Sequence, residues 1–318
     1  MKAVFVVNPV AGGGRGLRVW RQLERELSRR GLPADCRFTA GRGLATALAV
    51  EAKNQGYDTV IGVGGDGTIQ EVVNGLVDAQ GDCPATLGII PAGTGNDFSK
   101  LLGYPRDPAG ALDVILAGCV RRLDIGRANG RYFINIAGVG FDAEVAAFLN
   151  QRPKRLPGAL MYVFGVLAVL LRYRPTPLTI DLGAEVLRGK CLLVSVANGP
   201  SHAGGMKMCP DASPEDGVLD ICVVGDVGRL QTLWLLPKVF SGRHTLHPKV
   251  RLYRTTKVRI DSSEPLFVQA DGEIFGRVPV DVDVLRGVLP VFAAIGQAGR
   301  EEQGEGWRHD LHGQARRR

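Results

Sequence analysis

Aromatic residues are scarce, at 6% of the chain, and no block of lysine and arginine is interleaved with them. That argues against the stacking and phosphate-tracking surface by which nucleic acid is held, so no nucleic-acid partner is expected. The cysteines at 36, 83, 119, 191, 209 and 222 are scattered, with no Cys-x-x-Cys spacing among them. This excludes a disulfide framework or a zinc site on that motif and points to reduced thiols in the cytoplasm. Long apolar runs are missing too. The longest, residues 158–171, is too short to cross a bilayer. It reads as a buried helix, with contact to a lipid surface as the alternative. No Gly-x-x-x-x-Gly-Lys-Ser/Thr occurs, which excludes a P-loop protein, and no His-Arg-Asp loop of a protein kinase is found. A strand starts at Lys2, so no leader peptide is expected ahead of it.

What the chain does have is length, charge and glycine. Its 318 residues allow two domains, 45% apolar content supports sizeable cores, and a net charge of +7 favours acidic partners such as nucleotides or anionic lipid. Up to residue 125, strand and helix patterns alternate: strands near 2–7, 34–38, 59–63, 86–90 and 122–125, with helices near 16–30, 44–55, 68–76, 98–102 and 108–117. This predicts an α/β domain with a mostly parallel sheet over residues 1–125. From 126 to 296 strand-like runs dominate, and only 142–150, 159–172 and 230–240 read as helices, which predicts a β-rich second domain. Residues 297–318 are charged and Gly-rich, end in Arg316-Arg-Arg318, and read as a disordered tail. His309 and His312 in it read as solvated residues rather than metal ligands.

The strongest local signal is Gly62-Val-Gly-Gly-Asp-Gly-Thr68, between a buried strand and a helix. Thr68 and Glu71 stand three apart, as a capping box requires. Such a strand–glycine–helix turn receives phosphate, because free backbone N–H groups and the helix dipole both favour an anion. Asp66 inside it calls for a cation or a proton-accepting role. Gly62-x-Gly64-x-x-Gly67 also matches the dinucleotide fingerprint, but no acidic residue ends a second strand where that fold needs one. Two similar turns, Asn8-Pro-Val-Ala-Gly-Gly-Gly14 and Pro91-Ala-Gly-Thr-Gly-Asn-Asp97, follow strands of the same domain. In an open α/β sheet all three lie at the carboxyl edge, where ligands bind.

Together, Asn8-Pro9, Gly64-Gly-Asp-Gly-Thr68 and Gly93-Thr-Gly-Asn-Asp97 resemble the diacylglycerol kinase catalytic family, which includes soluble bacterial lipid kinases, sphingosine kinases and ceramide kinases. The resemblance continues through Asn135 to Asp142, Asn198-Gly199, Gly204-Gly205, Pro210 to Asp220 and Asp271-Gly-Glu273. It implies an NAD kinase/diacylglycerol kinase-like α/β domain, a β-sandwich-like second domain, and a lipid kinase working with ATP and Mg²⁺. By position it implies ATP against Asn8, Pro9, Gly12, Thr39, Gly64, Gly65, Asp66, Gly67, Thr68 and Thr94. It further implies an acidic cluster of Asp66, Asp97 and Asp124, a structural Mg²⁺ at Ser213, Asp216 and Val218, and Glu273 as general base. Read without the family, Ser213 to Gly217 is only a turn and Asp271-Gly272 a hairpin turn. The expected acceptor is the hydroxyl of diacylglycerol or a similar lipid, met at the inner membrane surface, with a homodimer left open. The alternatives are an NAD kinase-like enzyme and a catalytically silent lipid-binding regulator on the same scaffold.

Overall fold

Apolar runs that end in glycine set the order of elements in the first half. In the computed structural model, which describes residues 2–151 and 158–294 (backbone only for 158–162), these are β1 (Ala3–Val7), α1 (Ala11–Arg29), β2 (Asp35–Phe38), α2 (Leu44–Asn54), β3 (Thr59–Gly64), α3 (Asp66–Leu76), β4 (Thr86–Pro91), α4 (Asp97–Leu101) and α5 (Pro108–Leu116). The expected tail and its histidines lie outside the described residues. Strands β2, β1, β3 and β4 are parallel and adjacent in that order. The fully buried strand β3 carries no polar residue but Thr59, which is the pattern of a parallel strand covered on both faces.

The remaining elements are β5 (Val120–Ala128), β6 (Arg131–Phe133), β7 (Ile136–Gly140), α6 (Phe141–Asn150), α7 (Gly158–Leu170), β8 (Thr176–Asp181), β9 (Val186–Ala197), β10 (Leu219–Gly225), α8 (Arg229–Val239), β11 (Val250–Thr255), β12 (Lys257–Asp261), β13 (Phe267–Ala270), β14 (Glu273–Arg277) and β15 (Val280–Phe292). Their pairings in this half are antiparallel. The expected boundary at 125/126 falls inside β5. Strand β15 also crosses between the halves: Val280 to Asp283 pair with β12, whereas Val291 pairs in parallel with Leu87 of β4. Leu289, Val291, Phe292 and Ala293 are buried in the core of the first half, and Val280 and Val282 in the core of the second. Helices α6, α7 and α8 cover β9 and β10 over a third apolar cluster.

The predicted capping box does not form. Gly65 is the N-cap of α3 and makes no side-chain cap bond. Thr68 Oγ1 instead accepts from Asn8 Nδ2 (2.9 Å), and Glu71 Oε2 accepts from the Ala45 N–H at the start of α2 (3.1 Å). Tertiary partners reached both side chains before the local cap could.

Candidate active site

Three glycine turns meet at the carboxyl edge of the parallel strands. The Asn8 N–H donates to Val63 O (3.0 Å), Ala92 N–H to Gly64 O (2.7 Å), and Thr39 N–H to Val7 O (2.8 Å), so the segments after β1, β2, β3 and β4 are stitched side by side. Close backbone approach demands glycine here. A Cβ on Gly93 would stand 2.3 Å from Gly65 Cα, and one on Gly12 2.4 Å from the Ala92 carbonyl oxygen. A Cβ on Gly13, Gly14 or Gly67 would meet nothing within 4 Å, so the same turns are open on their outer side. A cradle closed behind and open in front is what a polyphosphate requires. Thr94 is exposed beside it, while Thr39 and Thr68 are buried.

Two carboxylates face this cradle. Asp66 Oδ1 accepts from Phe98 N–H (3.1 Å), and Asp97 Oδ2 accepts from Gly204 N–H (2.6 Å), a bond that reaches across from the second half of the chain. The missing Cβ of Gly95 would lie 3.0 Å from Asp66 Oδ2 and 3.5 Å from Asp97 Oδ2, so both carboxylates crowd one glycine. Burial, together with the charge of Asp97, pushes the Asp66 carboxyl above its ordinary value. Lys100 Nζ lies 3.5 Å from Asp97 Oδ1 and balances part of that charge, whereas Asp66 forms no ion pair among the described residues; the imidazole of His202 is pushed down to about 4, mainly by burial, and adds no charge at neutral pH. A divalent cation fits this arrangement. No three His, Cys, Asp or Glu side chains converge as a ready-made cage among the described residues, so Mg²⁺ here would take its further ligands from phosphate and water.

Asp124 does not join them. It sits on β5, where Oδ1 accepts from Gly287 N–H (2.7 Å) and Oδ2 from Gly217 N–H (2.6 Å), partners different from those of Asp66 and Asp97. Of the expected three carboxylates, Asp66 and Asp97 meet at Gly95, while both oxygens of Asp124 are taken up by backbone amides of the 213–218 loop and of the β15 bulge. The second expected metal site fits its ion poorly. Asp216 Oδ2 is paired with the guanidinium of Arg254, and its Oδ1 accepts from Val218 N–H (3.2 Å). Arg254 Nε also lies 3.4 Å from Asp220 Oδ1. A guanidinium already supplies the positive charge that a metal at Ser213, Asp216 and Val218 would bring.

Glu273 opens β14 at the tip of a hairpin. Asp271 (φ 47°) and Gly272 (φ 86°) are both left-handed, the two-residue geometry that hairpins prefer, so the turn reading holds for these two residues. The turn is also pinned. Asp271 carboxylate oxygens accept from the N–H groups of Ile134 (2.8 Å), Asn135 (3.0 Å) and Ile136 (3.0 Å). Asn150 Nδ2 at the end of α6 donates to Gly272 O (3.1 Å). Burial pushes the Asp271 carboxyl up to about 6, with Asp66 adding a smaller push in the same direction. The hairpin is tied to the helix that Asp66 opens through Arg131, which reaches both Glu273 and Gln70 of α3. Arg131 was not foreseen: its Nη2 lies 3.2 Å from Gln70 Oε1 on α3 and 3.5 Å from Glu273 Oε2, and its Nε is buried without a partner. Nothing in the run Gly130-Arg-Tyr-Phe133 distinguishes this arginine from a surface strand residue.

An α/β half with a glycine cradle and a carboxylate pair, bonded through Asp97 to a β-rich half, defines a class of nucleotide-dependent kinases. Residues 2–128 match the model of the diacylglycerol kinase catalytic domain, and residues 135–293 that of the YegS C-terminal NAD kinase beta sandwich-like domain. The chain is 33% identical over 279 residues to a diacylglycerol kinase of Bacillus subtilis (strain 168), covering 87% of this chain and 91% of the relative. It is 33% identical over 297 residues to a diacylglycerol kinase of Staphylococcus aureus (strain MRSA252), with 92% of each chain covered. A solved diacylglycerol kinase from Bacillus anthracis str. Sterne superposes with a TM-score of 0.70 at 26% identity, covering 92% of this chain and 97% of that one. The chain belongs to the diacylglycerol kinase family and, by that membership, is a lipid kinase. Yeast NADH kinase shares the fold, with a TM-score of 0.51 at 12% identity.

Proposed function

We propose that this enzyme transfers the γ-phosphoryl group of ATP to the free hydroxyl of diacylglycerol or a close analogue, with Mg²⁺, at the inner surface of the cytoplasmic membrane. The observation that carries this reading is the pairing of the Asp66 and Asp97 carboxylates at Gly95, beside an open glycine cradle, with Glu273 tied to the same helix α3 through Arg131. Bound Mg²⁺ would neutralise charge on the transferring phosphoryl group, which is most of what such chemistry asks of a catalyst. Asn8, Pro9, Gly12, Thr39, Gly64, Gly65, Gly67, Thr68 and Thr94 would hold and orient the nucleotide. Glu273 would accept the hydroxyl proton as that oxygen bonds to the γ-phosphorus and ADP leaves. Arg131 would aim the Glu273 carboxylate, from 3.5 Å away.

The NAD kinase-like alternative is supported only by the shared fold with yeast NADH kinase. Turnover of radiolabelled ATP against diacylglycerol, ceramide, sphingosine and NAD separates the readings. Phosphorylation of diacylglycerol or a near analogue, abolished by Asp66→Asn with the fold intact, is expected. Phosphorylation of NAD alone would sink the proposal.

A further inference from the structure

Exposed large apolar side chains are not spread evenly over this molecule. Of seventeen among the described residues, nine fall on the segments 163–171 and 230–246. On α7 the outward face carries Phe164 and Leu167, while Val166 and Leu170 point into the core, so the helix expected to be buried is buried on one side only. Leu171, just past its end, is 72% exposed. On α8, Leu230 (82% exposed) and Trp234 (57% exposed) are four apart and share a face. Lys238 Nζ lies over the Trp234 ring, 2.7 Å from its centroid.

The two helices flank one cleft. It measures about 200 Å³ and is lined by Leu170, Tyr173 and Arg174 from the α7 side and by Gly228, Arg229 and Thr232 from the start of α8. Asp226 contributes its one carboxylate. Neither Arg174 nor Arg229 is among the ion pairs formed by the described residues. Exposed aliphatic side chains and an indole beside unpaired arginines match the chemistry of an interfacial surface: acyl chains accept the first, the headgroup level the second, and anionic headgroups the third.

We propose that the α7–α8 edge is the face on which this enzyme docks to an anionic lipid bilayer, Leu171, Leu230 and Trp234 entering the interface while Arg174 and Arg229 meet lipid phosphate. The inference rests on the reading of the chain as a kinase of membrane lipid. It adds the side from which the membrane is approached, and this is connected to the candidate site: α7 packs on α6, and α6 ends in Asn150, which holds the Glu273 hairpin. No helix among the described residues is long and apolar enough to span the bilayer, so the contact is peripheral.

The test is co-sedimentation of the full chain with vesicles of phosphatidylglycerol and phosphatidylcholine, against pure phosphatidylcholine. Wild type should partition to the anionic vesicles and release with salt. Arg174→Glu with Arg229→Glu, and separately Trp234→Ser with Leu230→Ser, should each lower partitioning by about tenfold or more. Turnover of a short-chain diacylglycerol dispersed below its aggregation limit should stay at the wild-type level in both variants. Equal sedimentation of wild type and variants overturns the docking face while leaving the kinase reading intact. Absence of turnover on the short-chain substrate in wild type overturns the kinase reading instead. A dimer in solution that Trp234→Ser with Leu230→Ser converts to monomer would assign the patch to a second copy and overturn the proposal.

Discussion

Glu273 and Arg131 stand 3.5 Å apart, on the hairpin and on the strand that faces α3. If Glu273 takes the acceptor proton, Glu273→Gln keeps size and hydrogen bonding but loses basicity, and kcat should fall by roughly 10²–10⁴ with KM for ATP nearly unchanged. Arg131→Gln should cost less kcat than Glu273→Gln, because the carboxylate keeps its basicity and loses only the guanidinium that aims it. Retention of more than about a tenth of kcat by Glu273→Gln would return the residue to a turn role. The Asp-Gly-Glu tripeptide was legible in the sequence; Arg131 was not, because a β-strand arginine acquires its partner only when β6 is laid against α3. A second residue-scale prediction concerns Asp142, whose Oδ1 is buried without a partner and whose carboxyl is pushed up to about 7 by burial. The folded value exceeds the unfolded one of about 3.9, so the fold retains a proton that the unfolded chain has released. Stability attributable to this group therefore falls as pH rises from about 4 to 7 and is fully lost above that. Asp142→Asn should raise stability more at pH 8 than at pH 5 in denaturant titrations, by an order of a few kcal/mol. A stability gap independent of pH would show that the carboxyl ionises freely.

Elements were legible where an apolar run stops at glycine, as at β1, β3 and β4, and illegible where the punctuation is ambiguous. Residues 250–260 form one strand-like run with no turn signal at Thr255 and Thr256, yet β11 and β12 pair with different neighbours. Residues 278–285 and 289–294 are two strand-like runs in the sequence, parted at Arg286-Gly287. They are one strand with a bulge, in which Gly287 (φ 58°) turns its N–H to Asp124. The loop at 213–218 is the element where the family expectation and the geometry part. Its Asp216 is matched to Arg254 on β11, so the melting temperature of wild type should respond little to Mg²⁺ when no nucleotide is present. Arg254→Gln removes the guanidinium from Asp216 and Asp220, leaving carboxylates that repel, and should gain a Mg²⁺-dependent rise. A wild-type rise of several degrees with Mg²⁺ that Asp216→Ala abolishes would restore the metal to this loop.

At the scale of the whole molecule, an α/β half followed by a β-rich half was legible from the change in periodicity near residue 126. The return of the chain end was not, since no local pattern reports that a strand pairs with one begun two hundred residues earlier. Strand β15 has consequences for folding. Its first part completes the second sheet through β12, and its last part packs on β4 and β5 in the first. Leu289 is fully buried in the first core, so Leu289→Ala should cost about 2–5 kcal/mol through the lost side chain and the cavity left behind. Two halves joined only by a linker would confine that loss to the first. A shared strand instead couples them, as do the Gly204–Asp97 bond between the halves and Asp124, whose carboxylate holds both the 213–218 loop and the β15 bulge. Native-state hydrogen exchange under low denaturant reads this directly, since each amide reports the opening that exposes it. Amides of β3 in the first half and of β9 in the second should lose protection together, and by the same free energy, in Leu289→Ala. Loss confined to β3, with β9 at its wild-type protection, would mean that β15 separates at its bulge and that the two halves open independently.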